Sequence, residues 1–130
     1  MNYRLRRLLD IQNHWFYLYY GVRNLVSWFS IIWKDRDWDH NFLLRIMEKK
    51  LSSMAYLHEN HGHLLNNGRY ARQLRIAAHL CKRLHEEPYY ETASLRFDRR
   101  TANFVGAELQ KQDKEMLGRL IGKYIDHWWD

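Results

Sequence analysis

The sequence has little of what cross-links and tight turns require. Cys81 is its only cysteine, so an intramolecular disulfide is impossible, which favours a reducing compartment. Pro88 is its only proline, and only six glycines are present. A β-sandwich needs many turns built from such residues. Their scarcity therefore favours helices over a many-turned β fold.

The sequence also lacks a clean hydrophobic run of membrane-spanning length. The stretch 15–33 is nearly apolar, but Arg23 and Asn24 lie near its middle. An arginine at the centre of a span costs about 2.5–3.5 kcal/mol on insertion scales. Near the start, Asp10 and the polar residues after it interrupt any apolar core of a signal peptide. We therefore expect a cytoplasmic protein without a membrane partner.

What the chain has is enough apolar material for one core. Its 130 residues are 46% hydrophobic and 15% aromatic, which excludes disorder for most of the chain. We expect a single helical domain over residues 1–130. The formal net charge of +6 is spread over both halves of the chain. A mild excess of this kind favours anionic ligands without selecting among them.

The periodicity predicts an all-α fold, an antiparallel helical bundle of four to five helices. The expected helices span 3–12, 14–33, 39–60, 69–87 and 111–129, with a short one near 101–109. Pro88 should end the fourth, because proline disfavours helix in the residue before it. Short connections between such helices favour antiparallel neighbours.

Apolar residues recur at alternating spacings of three and four, which gives each long segment one apolar stripe. The stripes are Ile11, Trp15, Leu18, Val22, Leu25, Phe29 and Ile32; Leu43, Ile46, Met47, Leu51, Met54 and Leu57; Tyr70, Leu74, Ala77, Cys81 and Leu84; and Leu117, Leu120, Ile121, Tyr124 and Trp128. Segment 14–33 carries further large side chains off its stripe, including Phe16, Tyr17 and Tyr20. One face cannot bury all of them, so we predict self-association, with a ligand-contacting wall as the alternative.

Lys50 falls within the stripe of segment 39–60, between Met47 and Met54. A lysine in that position reaches past the core to solvent, pairs with an acid, or binds an anion. Two interpretations stay open. Its stem packs on the core while the ammonium is solvated, or the ammonium faces a cleft and holds an anionic ligand.

A second group of cations lies on segment 69–87, opposite its apolar stripe. These residues are Arg72, Arg75, His79, Lys82 and Arg83. Such a face is typical of a solvated helix side, and it also suits phosphate groups. No helix-turn-helix or other nucleic-acid motif accompanies it.

Acidic and histidine clusters raise the question of a metal. Asp35, Asp37 and Asp39 could bind a divalent ion, but the glycine and glutamate of a calcium loop are missing, and helix capping explains them better. The histidines at 58, 61 and 63 lack the spacing of a zinc motif. We therefore predict no metal ligand and no cofactor. Cys81 lies in an apolar stripe, which disfavours a reactive thiolate, and no motif indicates catalysis.

Several strings resemble a family of small tailed-bacteriophage proteins. They are residues 32–40 (IWKDRDWDH), Phe42-Leu43-Leu44, Lys50-Leu51 with Met54, Cys81-Lys82-Arg83-Leu84, Tyr89-Tyr90 and the terminal Trp128-Trp129-Asp130. The resemblance covers about residues 25–90 and the last few. It implies expression in the cytoplasm of an infected bacterium. By analogy with other small phage proteins, it implies an accessory role that counters host defence by trapping a nucleotide signal.

The leading functional prediction is a homo-oligomeric phage accessory protein that binds and sequesters a small anionic, nucleotide-like ligand without catalysis. Lys50, Arg72 and Arg83 would neutralise phosphate, Trp38 and Tyr90 would stack on a base, and Arg36 and Asp39 would orient them. One alternative is an inhibitor that binds a host protein or nucleic acid. The other is a metal-dependent phosphohydrolase that uses Asp35, Asp37, Asp39 and nearby histidines.

Overall fold

A computed structural model describes residues 11–36, 39–61 and 66–128 of the chain. Within those ranges the protein is helical and has no strand, which confirms the all-α prediction. The helices are α1 (Ile11–Ile32), α2 (His40–Asn60), α3 (Asn67–Glu86), α4 (Tyr89–Ser94) and α5 (Arg99–Tyr124). A 3₁₀ turn, Ile125–His127, follows α5.

Contacts divide the chain into two units, Met1–Asp37 and Trp38–Asp130. The first contains α1, and the second contains α2 to α5. The single domain expected over residues 1–130 stays a prediction.

The second unit is a helical bundle built around α3. Helix α2 packs along α3, and α5 packs against α3 and α4. The stripe expected on α3 is confirmed, because Leu74, Ala77, Cys81 and Leu84 are all buried. Residues from α2 and α5 complete the core, among them Leu51 and Leu117. The inward face of α3 therefore organises the bundle.

The ends of the helices follow ordinary capping chemistry. The Asp39 carboxylate accepts a hydrogen bond from the backbone N–H of Asn41 over 2.9 Å at the start of α2. Asp98 caps α5 in the same way. Such caps satisfy backbone donors that have no partner within the helix. Helix α3 ends at Glu86, ahead of Pro88, as the sequence predicts.

The stripe predicted for 111–129 is confirmed. Leu117 and Trp128 are buried, and Leu120, Ile121 and Tyr124 pack against the core. The indole Nε1–H of Trp128 also donates a hydrogen bond to Gln73 Oε1 over 3.1 Å. Both groups are buried, so this bond attaches the end of the described chain to α3. A buried polar pair of this kind must be satisfied, because an unpaired partner would be costly.

The prediction of separate helices near 101–109 and over 111–129 was wrong. The structure has one helix, α5, from Arg99 to Tyr124. Before Leu117 the buried residues of this helix are Ala102, Gly106 and Asp113, two small residues and an acid. None of them adds to an apolar pattern, so the periodicity could not reveal this part of the helix. Helix α4 was also not predicted, and the helix expected at 3–12 lies mostly outside the described residues.

The face predicted for α2 was partly wrong. Leu51 is buried and Met47 and Met54 pack against the core as predicted, but the buried side extends away from the other stripe residues. Leu43 and Leu57, both assigned to the stripe, are 60% and 50% exposed, whereas Ala55 and His58 are buried. Lys50 is exposed as well. The buried side of the helix is therefore turned away from Lys50, which removes the reason for selecting this lysine. The solvated interpretation of its ammonium fits the structure.

Helix α1 has its apolar stripe on the surface. Trp15, Leu18, Val22, Leu25 and Phe29 are each between 52% and 69% exposed. That this stripe contributes to a core stays a prediction. Despite its apolar character, neither α1 nor any other described helix is long and apolar enough to cross a membrane.

Candidate functional site: a basic groove along α3

An open groove of about 700 Å³ runs along the outward face of α3. Its basic residues are Arg72, Arg75, His79 and Arg83. Residues three and four apart lie on one face of a helix, so this spacing alone aligns the four side chains. The remaining lining residues are Glu59, Gly68, Ala71, Ile76, Leu80 and Met116. The groove therefore combines three arginines and a histidine with an apolar floor and one acid.

Arg75 is held at the edge of the groove by Glu59 of α2. The Arg75 guanidinium donates two hydrogen bonds to the two carboxylate oxygens of Glu59. The pairing lowers the pKa of Glu59, chiefly through these hydrogen bonds, and raises the pKa of Arg75. Both groups are largely exposed, so solvent screens the pair. An anionic ligand would compete with Glu59 for this guanidinium.

Arg83 is fixed at the other end of the groove. Its Nε–H donates a hydrogen bond to Glu87 Oε2 over 2.7 Å, and its Nη2 lies 3.1 Å from Asp113 Oδ2. The hydrogen bond with Glu87 is the main reason that the pKa of Arg83 is raised. The guanidinium carbon also lies 5.9 Å from the centre of the Tyr89 ring. Arg83 is therefore well oriented, but two carboxylates already offset its charge.

Arg72 and His79 differ from these two residues. Both are exposed, and neither has a hydrogen-bond or ion-pair partner among the described residues. An unpaired guanidinium offers five donors to a phosphate in a fixed fork. Arg72 is therefore the cation of the groove best placed to bind an anion without first giving up a contact.

The structure brings together two of the seven residues predicted to bind a ligand, Arg72 and Arg83. Lys50 is exposed and is not among the residues that line this groove. Tyr90 lies on α4, is 42% exposed and also does not line it. Base stacking in this groove would have to use the apolar floor instead of Tyr90.

The other three predicted residues belong to the segment before α2. Arg36 is exposed, and its guanidinium lies 3.4 Å from the backbone oxygen of Asp35. Asp39 serves as the N-cap of α2, as the capping interpretation predicts. Trp38 lies outside the described residues. For Asp39, a role in orienting a ligand would compete with its cap.

The sequence did not reveal the groove residues contributed by other helices. Glu59 of α2 and Met116 of α5 meet the α3 face only through tertiary packing. Spacing along one helix identifies which cations share a face. It cannot indicate that Glu59, 16 positions before Arg75, borders the same groove. Nor can it indicate that Met116 of α5 does so.

A second cluster of chemically versatile side chains joins α2 to the end of α3. His85 Nε2 lies 2.7 Å from Glu48 Oε2, and the His85 side chain is 3% exposed. Glu48, His85 and Glu86 each offer a ligand atom within 4.8 Å of the others, a set that a divalent metal could use with water.

Two features of this cluster weigh against a metal. Lys82 pairs with Glu86 at 3.8 Å, and the buried Nδ1 of His85 has no hydrogen-bond partner. Metal-bound histidines almost always donate their second ring N–H to an acceptor, which is missing here. The geometry therefore describes a buried histidine–carboxylate contact that joins two helices.

No protein-family model matches the chain, and no curated protein or solved structure is similar to it at a significant level.

Proposed function

We propose that the protein binds a small anionic ligand of the nucleotide type in the α3 groove and sequesters it without chemical turnover. The observation that carries the proposal is the convergence of three arginines on one concave surface with an apolar floor. Guanidinium groups recognise phosphate through paired hydrogen bonds. The adjoining apolar surface suits the flat face of a base.

The size of the groove supports a ligand of nucleotide dimensions. Its volume of about 700 Å³ lies within the roughly 300–1,000 Å³ typical of small-molecule sites. Glu59 already partners Arg75, and acids already partner Arg83. A ligand with two or more negative charges gains most here, because it can engage Arg72 fully while replacing Glu59 at Arg75.

The proposed biological setting comes from the sequence resemblance to tailed-bacteriophage proteins. In the cytoplasm of an infected bacterium, a protein that holds a nucleotide signal out of solution would weaken the defence that depends on the signal. We propose that it acts there as a homo-oligomer. Sequestration requires tight binding and abundance, and needs no catalytic group.

The test is calorimetry of the full chain with inorganic pyrophosphate, AMP, ATP and a cyclic dinucleotide at low salt. We expect measurable binding of at least one phosphate compound, and recovery of the ligand unchanged after incubation. Arg72→Ala should weaken binding by about ten- to a hundredfold, because a charge-assisted hydrogen bond contributes roughly 1.5–3 kcal/mol.

Two variants with the same charge change serve as controls. Arg45→Ala removes an exposed cation from α2 outside the groove, and should leave affinity unchanged. Lys50→Ala removes an exposed lysine of α2 that also lies outside the groove. The sequence analysis selected this residue to bind phosphate, but its removal should also leave affinity unchanged. Absence of binding with every probe, or a loss in Lys50→Ala that Arg72→Ala does not share, would contradict the groove as the site.

A second candidate function is contact with nucleic acid through the same face. The observation that favours it is the continuation of the basic surface past the groove, where Lys82 joins Arg75 and His79 around a smaller depression. Binding to a DNA or RNA duplex should then fall steeply with salt, since phosphate contacts release counterions. Duplex binding that is stronger than binding of every small probe would favour this candidate.

A further inference from the structure

Seven of the apolar residues of α1 follow a heptad repeat. Counting from Ile11, they occur at alternating intervals of four and three, and the members are Ile11, Trp15, Leu18, Val22, Leu25, Phe29 and Ile32. In coiled-coil notation Trp15, Val22 and Phe29 occupy the a positions, and the others occupy d. A repeat of 3.5 residues is the pattern by which one helix packs lengthwise along another. We call these seven residues the α1 seam.

The α1 seam residues whose side chains the structure describes are exposed. Trp15, Leu18, Val22, Leu25, Phe29 and Ile32 are each more than half exposed. Tyr19 and Val26, at the flanking e positions, are 64% and 73% exposed and widen the surface. An amphipathic helix gains its stability mainly by packing its apolar face. The apolar repeat of α1 is therefore typical of a helix that packs along another helix.

We infer that α1 is an assembly helix whose seam packs against the α1 seam of other copies of this chain. The available area supports this. Six seam residues together with Tyr19 and Val26 are each more than half exposed. These eight side chains offer on the order of 800 Å² per copy, about what a standard protein interface buries on each side. The inference concerns a surface outside the α3 groove and does not depend on ligand binding.

The charges around the α1 seam favour a second copy as the occupant. The residues that flank it include Tyr19, Gly21, Val26 and Trp28, none of which is charged, so identical helices meet without like-charge repulsion. Arg23 is the one Lys or Arg of α1, which has no acid. It lies on the opposite side, with its guanidinium 5.9 Å from the centre of the Tyr20 ring. The uncharged, apolar seam of one copy is therefore complementary to the same seam of a second copy.

The opposite face of α1 argues against a membrane surface as the occupant. Helices that lie on membranes carry several lysines or arginines on their polar face, which attract anionic lipid. Here that face has Arg23 together with uncharged residues, among them Asn24 and Ser30 and the exposed aromatics Phe16 and Tyr17. Helix α1 therefore has little of the positive charge that would attract anionic lipid.

Sedimentation of the full chain over about 1–100 μM tests the inference. We expect the wild type to sediment as an oligomer of its 16.1 kDa chain. The double variant Leu18→Lys/Leu25→Lys should sediment as a monomer, because it places charges in the seam. The matched control Asn24→Lys/Ser30→Lys adds the same charge on the other face and should stay oligomeric. Wild-type protein that is monomeric throughout, or seam and control variants that behave alike, would overturn the inference.

Cross-linking provides a second measurement that does not require the charged variant to be well behaved. Val22 lies at the middle of α1, so it meets its counterpart whether the helices run parallel or antiparallel. In a Cys81→Ala background, Val22→Cys should form a disulfide between copies under mild oxidation, whereas Asn24→Cys should not. Leu18→Cys should cross-link only in a parallel arrangement. Equal cross-linking at positions 22 and 24 would contradict the seam, and co-flotation with anionic vesicles by a monomer would assign α1 to lipid instead.

Discussion

The hydroxyl of Tyr89 donates a hydrogen bond to Asp113 Oδ2 over 2.6 Å, within the buried contact between α4 and α5. The same carboxylate oxygen lies 3.1 Å from a nitrogen of Arg83 on α3. One acid therefore connects three helices. Asp113 is 8% exposed, and a buried carboxylate is tolerated only when it is paired in this way.

Removing the Tyr89 hydroxyl should lower the stability of the bundle. Tyr89→Phe leaves the ring in place but leaves Asp113 with one partner fewer, at a cost of about 1–3 kcal/mol. Urea unfolding followed by circular dichroism measures the change. Tyr90→Phe, at the exposed neighbouring position, should change stability by less than about 0.5 kcal/mol. Equal effects of the two variants would mean that the hydrogen bond contributes nothing of its own.

Alkaline pH should destabilise the fold through two buried groups. Burial raises the pKa of Cys81 to about 11 from an ordinary value of 9.0, and burial also raises the pKa of Tyr89. Because the unfolded chain loses these protons at lower pH than the native state does, their stabilising contribution is present below about pH 9 and decreases above it. The free energy of unfolding should therefore fall between pH 9 and pH 11. Cys81→Ala should fall less steeply over that range, and an identical slope would contradict the role of the thiol.

Two glycines of α5 should respond in opposite ways to alanine. A Cβ on Gly106 would lie 3.1 Å from the backbone oxygen of Tyr89, whereas a Cβ on Gly118 meets nothing within 4 Å. Gly118→Ala should raise stability by about 0.5–1 kcal/mol, since glycine is unfavourable inside a helix. Gly106→Ala should not raise stability, because the added Cβ would force α4 away from α5. Thermal unfolding of both variants checks this, and a stabilised Gly106→Ala would show that the two helices have room to separate.

Releasing Arg75 from Glu59 should strengthen ligand binding in the α3 groove. Glu59→Gln removes the negative charge that now competes with an anion, and surface pairs of this kind correspond to about a two- to fivefold change in affinity. Calorimetry with the phosphate compound that binds the wild type measures it. Glu91→Gln makes the same charge change on α4, outside the groove, and should have no effect. Weaker binding in Glu59→Gln would mean that Glu59 orients Arg75 for the ligand.

Strong periodicity allowed most of the helices to be predicted, but not every face. On α3 the burial of Leu74 and Cys81 agrees with the stripe, because polar residues separate it clearly from the other side. On α2 the apolar residues spread over more than one face, so Leu43 and Ala55 could not be ranked from the pattern. Lys50 was selected through that ambiguity. In α5 small buried residues such as Gly106 left no hydrophobic signal.

The sequence by itself determined the helical class, the end of α3 before Pro88, the alignment of cations along α3 and the heptad repeat of α1. All of these depend on residues close together in the chain, whose spacing fixes which side chains share a face. Only the tertiary structure decided which face of α2 is buried and that Glu59 and Met116 border the α3 groove. Those outcomes depend on how distant helices pack, and local periodicity does not encode that packing.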